Sequence, residues 1–194
     1  MQHQRVQWCR RIATIDPERF VFLDETATHV ALTRLYGRAA PGKRVVDAVP
    51  HGHWRITTLV AAVRLGGATA PLVFEGATDT AAFRVYVERV LVPELRAGDI
   101  VVMDNLSPHK GDWVAEELAK AEAEVWYLPP YSPDYNPIEA MWAKVKAWLR
   151  KEAARTGAAL VRAIGQALGT ITSADCLGFF KHCGYSATRK RKPL

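Results

Sequence analysis

The stretch that most constrains the fold is residues 128–142, which read Leu-Pro-Pro-Tyr-Ser-Pro-Asp-Tyr-Asn-Pro-Ile-Glu-Ala-Met-Trp. Three prolines precede Asn136, and each of them removes a backbone N–H and fixes φ. We therefore predict a rigid extended loop before Asn136. A helix is predicted to begin directly after it, because asparagine is a favoured N-cap and Pro137 suits the first helical position.

Glu139 falls at the third position of this helix, where two interpretations compete. In the structural interpretation, its carboxylate reaches back to the N-cap and completes a capping box, which is common before an apolar run. In the functional interpretation, the carboxylate takes part in a site. The choice depends on whether other acidic residues are expected nearby.

Two short apolar runs elsewhere in the chain each end in an aspartate. Residues 20–24 read Phe-Val-Phe-Leu-Asp, and residues 100–104 read Ile-Val-Val-Met-Asp. Runs that are apolar on both faces are typical of buried strands in a parallel or mixed sheet, and ligands bind at the carboxyl ends of such strands. We therefore predict a cluster of three carboxylates from Asp24, Asp104 and Glu139. Hard divalent cations such as Mg²⁺ prefer oxygen ligands of this kind.

These same stretches resemble a known family. Met-Asp-Asn at 103–105, Leu-Pro-Pro-Tyr-Ser-Pro at 128–133 and Asn-Pro-Ile-Glu-x-x-Trp at 136–142 closely resemble the DDE transposases of bacterial insertion sequences related to the mariner group. The 34 residues between Asp104 and Glu139 belong to the same pattern. The resemblance covers most of the chain.

The resemblance implies both a fold and a function. The fold is α/β and ribonuclease-H-like, with a mixed central sheet flanked by helices. The three acidic residues Asp24, Asp104 and Glu139 would be catalytic and would bind two Mg²⁺ or Mn²⁺ ions. The activity implied is metal-dependent DNA strand cleavage and strand transfer at insertion-sequence ends, by two-metal phosphoryl transfer. The partners implied are transposon-end DNA and target DNA.

A second function stays open, which is a non-catalytic DNA-binding remnant or a regulator of transposition. In the resembling family, a helix-turn-helix region precedes the catalytic domain, and residues 1–18 leave no room for one. We therefore expect this chain to be the catalytic half only. A separate helix-turn-helix polypeptide or a missing amino-terminal domain would complete it, and a homodimer is one expected assembly.

Positive charge is concentrated late in the chain. The net charge is +6, and residues 140–194 carry eleven Lys or Arg against two acidic residues, or +9. We expect a polyanion to bind to this basic part of the chain, beside the acidic cluster. Lys146 and Arg150 are predicted to contact DNA, because helical geometry places them on the same flank as Glu139. The Arg-Lys-Arg-Lys tail at 189–192 either adds to this grip or is a solvated end.

Composition excludes several classes of protein. The 194 residues are 49% hydrophobic and 24% charged, which is typical of a globular domain. No apolar run is long enough for a membrane span or a signal peptide, so we expect a cytoplasmic, nucleoid-associated protein without a membrane partner. Three cysteines without a Cys-x-x-Cys pair indicate neither a disulfide framework nor a zinc ribbon. Phosphate-loop, serine-nucleophile and dinucleotide motifs are not found.

The predicted organisation has three parts: an amino-terminal helix and linker over residues 1–18, the catalytic domain over 19–155, and a carboxyl-terminal helical segment with its basic tail over 156–194. Spacing and turn residues predict these further elements: strands at 29–36, 55–64, 69–74 and 124–128, and helices at 80–95, 112–122 and from Pro137 onward.

Three residues close to the predicted ligands have other assignments. His109 follows the Asp104 strand and is assigned a supporting role at the active site. Asn105 is a second supporting candidate, although strand alternation would turn it away from Asp104. Asp134 lies between prolines and is predicted to stabilise a turn. No pair of histidines or cysteines has the spacing of a structural zinc site, so zinc is not predicted.

Overall fold

Five segments rich in β-branched and aromatic residues build the centre of the protein. The structure, a computed structural model, describes residues 2–52, 54–105 and 111–186. Its strands are β1 (Phe20–Thr28), β2 (Thr57–Arg64), β3 (Gly67–Glu75), β4 (Ile100–Met103) and β5 (Glu124–Tyr127). They form one sheet in the order β3-β2-β1-β4-β5, in which β1, β2 and β3 are antiparallel neighbours and β4 and β5 run parallel to β1.

Helices cover both faces of this sheet. They are α1 (Gln2–Ile12), α2 (Thr80–Tyr86), α3 (Asp112–Ala119), α4 (Pro137–Glu152), α5 (Gly157–Gly169) and α6 (Ser173–His182). Buried residues of α1, α4, α5 and α6 form one hydrophobic cluster on one face, and those of α2 and α3 form a second cluster on the other. No helix within the described ranges is long and apolar enough to cross a bilayer. The mixed sheet between helical layers agrees with the architecture predicted above.

The central strands are apolar on both faces because both faces are covered. In β1, Phe20 and Phe22 belong to the first cluster, whereas Val21 and Leu23 belong to the second. All four are at most 1% exposed. A strand buried on both faces reads as a continuous apolar run, and for this reason the runs before Asp24 and Asp104 predicted strands correctly. The predicted end of the first strand at Asp24 is wrong, because β1 stays paired with β2 as far as Thr28. β4 ends at Met103, directly before Asp104.

Helix α4 buries one apolar stripe against the sheet. Its buried side chains recur at helical spacing: Pro137, Ile138, Met141, Trp142, Val145 and Leu149. The sequence pattern predicted this stripe. Because the stripe packs in the same cluster as Phe22 of β1, it fixes the first turn of α4 close to the sheet.

The prediction of a strand over residues 29–36 is wrong. Pairing of β1 with β2 stops at Thr28, so no neighbouring strand remains to bond the residues that follow. The carbonyls of Val30 and Leu32 instead accept hydrogen bonds from the Arg155 guanidinium, at 2.9 and 3.0 Å. β-branched composition favours a strand only where a partner strand is available.

The helix predicted over residues 80–95 forms, but its second half is irregular. α2 passes into a π-helical turn at Val87–Leu91 and then into a 3₁₀ turn at Val92–Glu94. Pro93 lies in the last turn, where it cannot donate a hydrogen bond to the preceding turn. The predicted apolar face is kept, because Phe83 still packs in the second cluster.

A buried ion pair lies at the end of the sheet opposite Asp24. Arg64 ends β2 and Asp99 precedes β4, and Arg64 Nη2 is 2.6 Å from Asp99 Oδ2. Their side chains are only 9% and 5% exposed. The backbone N–H of Arg96 also donates to Asp99, at 2.8 Å. The pair therefore connects the antiparallel half of the sheet to its parallel half.

Breaking this pair is expected to destabilise the fold strongly. Arg64→Met leaves the Asp99 carboxylate buried without its cation, and the free energy of unfolding should fall by about 3–5 kcal/mol in urea denaturation. The exposed pair of Arg55 and Glu75 is the matched control. Arg55→Ala should cost less than about 1 kcal/mol. Equal losses in the two variants would contradict a structural role for the buried pair.

Candidate active site

Asp24 and Asp104 come close because β1 and β4 are parallel neighbours. Phe22 pairs with Val102 in the sheet register, and each aspartate lies two residues further along its own chain. Asp104 comes directly after the last residue of β4. Two residues are one full period of a strand, so Asp24, which lies within β1, continues the face on which Phe22 and Val102 are buried. This is also the face that α4 covers.

Glu139 reaches the same region from the first turn of α4, where it is exposed. The capping-box interpretation is wrong, because Asn136 is the N-cap residue but its side chain makes no capping hydrogen bond. Its Nδ2 instead donates to Asp24 Oδ2 at 3.3 Å. The asparagine therefore links the start of α4 to β1.

One cavity of about 410 Å³ is lined by Asp24, Asp104 and Glu139 together. Its remaining walls are Asn105, Asn136 and the loop over residues 128–133. Asp24 is oriented within it from two sides, because its Oδ1 accepts the backbone N–H of Glu25 at 2.8 Å and its Oδ2 accepts the Asn136 amide.

The donor atoms of this cavity match a hard divalent cation in kind. Carboxylate and amide oxygens are the ligands that Mg²⁺ takes. Asn136 Oδ1 is buried and has no hydrogen-bond partner within the described part of the chain, so an oxygen that lacks a donor lies in the cavity wall. As they stand, no three His, Cys, Asp or Glu residues in the described ranges are grouped so that they could hold a metal ion. The assignment of Asp24, Asp104 and Glu139 as metal ligands stays a prediction.

The loop that walls the cavity is held by α1. Arg5 Nη1 donates to Ser132 Oγ at 2.8 Å, and both guanidinium nitrogens bond the Asp134 carboxylate, at 3.0 and 2.6 Å. The guanidinium also lies over the Tyr135 ring, 4.5 Å from its centroid. Hydrogen bonds from Arg5 hold the pKa of Asp134 below its ordinary value, so the pair persists at neutral pH. Asp134 thus steadies the loop through α1, and not only through a local turn.

The loop is more sharply turned than the extended segment predicted above. Tyr131 has a φ of 54°, in the left-handed region, which costs a residue other than glycine about 1–2 kcal/mol. Pro133–Tyr135 forms a 3₁₀ turn. The Tyr131 side chain is 89% exposed beside the cavity. The contacts from α1 offset the cost of this local conformation.

Asn105 lines the cavity, contrary to the expectation from strand alternation. β4 ends at Met103, so Asn105 lies outside the alternating backbone. Lys146 and Arg150 lie half-buried on α4, outside its buried stripe, and neither has an ion-pair partner in the described part of the chain. Their contact with DNA stays a prediction. His109 and the tail at 189–192 lie outside the described residues.

A sequence profile of the DDE superfamily endonucleases matches residues 19–161, a range that contains the three acidic residues. The chain belongs to the DDE superfamily endonucleases. The resemblance that its motifs indicated is therefore confirmed. A comparison with curated protein sequences finds no match.

Solved structures of Mos1 transposase share the fold of this DDE chain. The pre-cleavage Mos1 transpososome superimposes with a TM-score of 0.77 at 15% identity, over 94% of this chain and 58% of that chain. The Mos1 mariner paired end complex with Mn gives 0.72 at 17% identity, over 94% and 57%. The catalytic domain of Mos1 mariner transposase gives 0.64 at 15% identity, over 94% and 85%.

These superpositions confirm the predicted ribonuclease-H-like fold. The DDE chain spans just over half of the Mos1 chains in the two complexes and most of the isolated Mos1 catalytic domain. At this level of identity the similarity shows the fold and does not show the roles of the site residues.

Two features of the DDE site were missed from sequence. Asn136 has a local signal, since it precedes Glu139 by three residues, but its preference for the N-cap position concealed its bond to Asp24. Arg5 has no local signal, because it lies 129 residues from Asp134 in the chain. Only a structure brings such a pair together.

Removing the Arg5 contacts is expected to loosen the cavity wall of the DDE domain without unfolding it. In Arg5→Ala, hydrogen exchange of the Tyr135 and Asn136 amides should accelerate several-fold, because their 3₁₀ turn loses its attachment to α1. Mass spectrometry of the peptide containing this loop measures the exchange. Arg10→Ala is the matched control, since it removes an exposed cation from the same helix. Equal exchange in both variants would show that the loop is ordered by its prolines alone.

Proposed function

We propose that this chain is the catalytic domain of a transposase that cleaves DNA strands and transfers them. The observation that carries the proposal is the single cavity lined by Asp24, Asp104 and Glu139, which come from two parallel strands and one helix. Membership in the DDE superfamily endonucleases supports it. Solved relatives in fold are transpososome and paired end complexes of Mos1, which supports DNA as the substrate.

In this proposal, Asp24, Asp104 and Glu139 hold two divalent cations, Mg²⁺ or Mn²⁺. Mos1 structures with Mn and with Mg support that choice of ion. The cations would lower the pKa of the attacking water or DNA 3′ hydroxyl and stabilise the leaving oxygen. No covalent intermediate with the protein is required, so the chain needs no nucleophilic side chain in the cavity.

The chain's own residues supply position and shape. The Asn136 amide and the Glu25 backbone N–H hold the Asp24 carboxylate in one orientation. Glu139 is exposed at the start of α4, and its carboxylate can therefore adjust when a cation and a phosphodiester enter. The loop over residues 128–133 forms the wall against which a DNA strand would lie. Pre-organised carboxylates reduce the reorganisation that the reaction requires.

We further propose that recognition of a specific DNA end lies outside this catalytic domain. The proposal includes a helix-turn-helix region, on another polypeptide or a further domain, and a second copy of the chain as a homodimer. The basic flank of α4 would bind the DNA backbone without reading its sequence.

Metal binding and cleavage are expected to depend on the same carboxylates. Mg²⁺ at a hundred times its Kd should stabilise the folded chain by about 2.7 kcal/mol, because it binds only the folded state. Calorimetry should show a higher Tm with Mg²⁺, and a chelator should abolish nicking of supercoiled plasmid. Asp24→Asn combined with Asp104→Asn should remove both effects.

The control for that experiment is Glu18→Gln combined with Glu116→Gln, which removes two exposed carboxylates outside the cavity and should change neither effect. A full Tm shift in the Asp24 and Asp104 double variant would place the ions elsewhere. A chain that binds Mg²⁺ and DNA but never nicks would favour the alternative function, a non-catalytic DNA-binding remnant or regulator.

Lys146 and Arg150 are expected to add a salt-dependent, sequence-independent contribution to DNA affinity. Replacing both with Ala should lower the slope of log affinity against log salt by about 1.8 on duplex DNA, or about 0.9 for each phosphate contact. Fluorescence anisotropy at several salt concentrations measures this slope. Arg89→Ala removes an exposed cation from the opposite face of the sheet and should leave it unchanged. An unchanged slope in the double variant would show that Lys146 and Arg150 are solvated and do not contact DNA phosphates.

A further inference from the structure

A second cavity adjoins the catalytic one. Its volume is about 330 Å³, and it shares four wall residues with the first cavity: Asn105, Leu128, Pro129 and Pro130. The other side of the second cavity is formed mainly by α1, through Gln4, Gln7, Trp8 and Arg11. The two cavities therefore share one short stretch of loop as a common wall.

The two cavities differ in charge. The first is lined by three carboxylates, whereas the lining of the second contains no acidic residue in the described part of the chain. Helix α1 has three arginines and no acidic residue between Gln2 and Ile12. A group that enters the second cavity meets amide donors and a guanidinium, which suit an anion.

Arg11 is held in place at this cavity. Its guanidinium carbon lies 3.3 Å from the centroid of the Trp126 ring, a cation–π contact that fixes the side chain. Trp126 is only 6% exposed, and its indole N–H donates to Glu124 at 3.1 Å, so the surface beneath Arg11 is itself rigid. Arg11 has no ion-pair partner among the described residues. Within the described ranges its guanidinium N–H groups donate no hydrogen bond, so they can donate to a ligand.

Helix α1 packs against the core with one set of residues and lines the second cavity with another. Trp8 and Ile12 are buried in the first hydrophobic cluster. Gln4, Gln7 and Arg11 recur at three- and four-residue spacing, which places them together on one flank beside the buried residues. The Gln7 amide is within 2.8 Å of the His3 ring, which positions one end of this flank. One helix thus anchors in the core and presents a polar edge to the cavity.

We propose that the second cavity binds the sugar-phosphate group of the nucleotide next to the phosphodiester held in the catalytic cavity. Arg11 binds the phosphate, and Gln4 and Gln7 donate to phosphate or sugar oxygens. Pro129 and Pro130 offer apolar surface to the sugar. This proposal rests on the proposed function for the choice of DNA as ligand, and it adds a binding subsite that the acidic cluster does not contain.

Arg10 provides a matched comparison for Arg11. Both lie in the last turn of α1, where a cation stabilises the helix through its dipole, but only Arg11 lines the cavity. The variants are Arg11→Met, Arg11→Lys, Arg10→Met, and Gln4→Ala with Gln7→Ala. The probe is a fluorescein-labelled single-stranded oligodeoxynucleotide of mixed sequence, titrated at several salt concentrations, and the Tm of every variant is measured.

Arg11→Met is expected to lower the salt slope by about 0.7, the value for one phosphate contact on a single strand. Arg11→Lys should keep most of the slope but lose affinity, because an ammonium lacks the two-pronged hydrogen bonding of guanidinium. The glutamine double variant should lose affinity without a change in slope, because uncharged groups release no counterions. Arg10→Met should resemble the unmodified chain.

The plasmid-nicking assay separates this inference from the proposed function. If the chain nicks DNA in Mg²⁺ and Arg11→Met matches Arg10→Met in salt slope and KM, the subsite is overturned and the proposed function stands. If no variant nicks but Arg11→Met alone lowers the slope, the subsite stands as a DNA-binding site and the catalytic proposal fails. If Arg11→Met has a low Tm, the test of the subsite rests on Arg11→Lys and on the glutamine double variant. Normal affinity of both variants for the oligonucleotide would overturn the subsite.

Discussion

The structure depends on the parallel pairing of β1 with β4. This pairing sets Phe22 beside Val102, and each aspartate lies two residues further along its own chain. A shift of one residue would turn one aspartate to the opposite face of the sheet, because side chains alternate with a period of two. Both faces are apolar, so side-chain size opposes such a shift: Phe20 and Phe22 pack in one helical layer, and the smaller Val21 and Leu23 pack in the other. The same apolar burial that stabilises the sheet therefore fixes the register of the site.

The other parts of the site, which are helix α4, helix α1 and the proline-rich loop, are held beside β1 and β4 by contacts between residues distant in sequence. Helix α4 carries Glu139 to the cavity, and its position is fixed by a buried stripe and by the bond from Asn136 to Asp24. Helix α1 lies at the other end of the sequence but holds the proline-rich loop through Arg5 and lines the adjoining cavity through Arg11. Residues from the first helix, two strands and a late loop thus converge on one edge of the sheet. The catalytic cavity is lined by three carboxylates. The adjoining cavity, to which α1 contributes, is lined by no acidic residue among those the structure describes.

Features set by neighbouring residues in the sequence were predicted correctly, whereas features set by contacts between distant residues were not. The apolar runs before Asp24 and Asp104 and the apolar stripe of α4 are local patterns, and each was predicted from its own residues. The strand expected over residues 29–36 failed, because strand formation depends on a partner and β2 pairs only as far as Thr28. The capping-box interpretation of Glu139, which competed with the functional one, is wrong for a similar reason. The Asn136 side chain had a distant partner that local sequence does not reveal.

By itself, the sequence determined the family and the order of the main elements, and it predicted a cluster of the three acidic residues, because these are carried by short motifs and by the periodicity of apolar residues. The tertiary structure shows that Asp24, Asp104 and Glu139 line one cavity, and it alone decided that Asn136 orients Asp24 and that α1 borders the same loop. The physical reason is that hydrogen bonds and cavities join residues more than a hundred positions apart, such as Arg5 and Asp134. A local sequence pattern does not show which distant residues come into contact. Those contacts form only when the two hydrophobic clusters pack against the sheet.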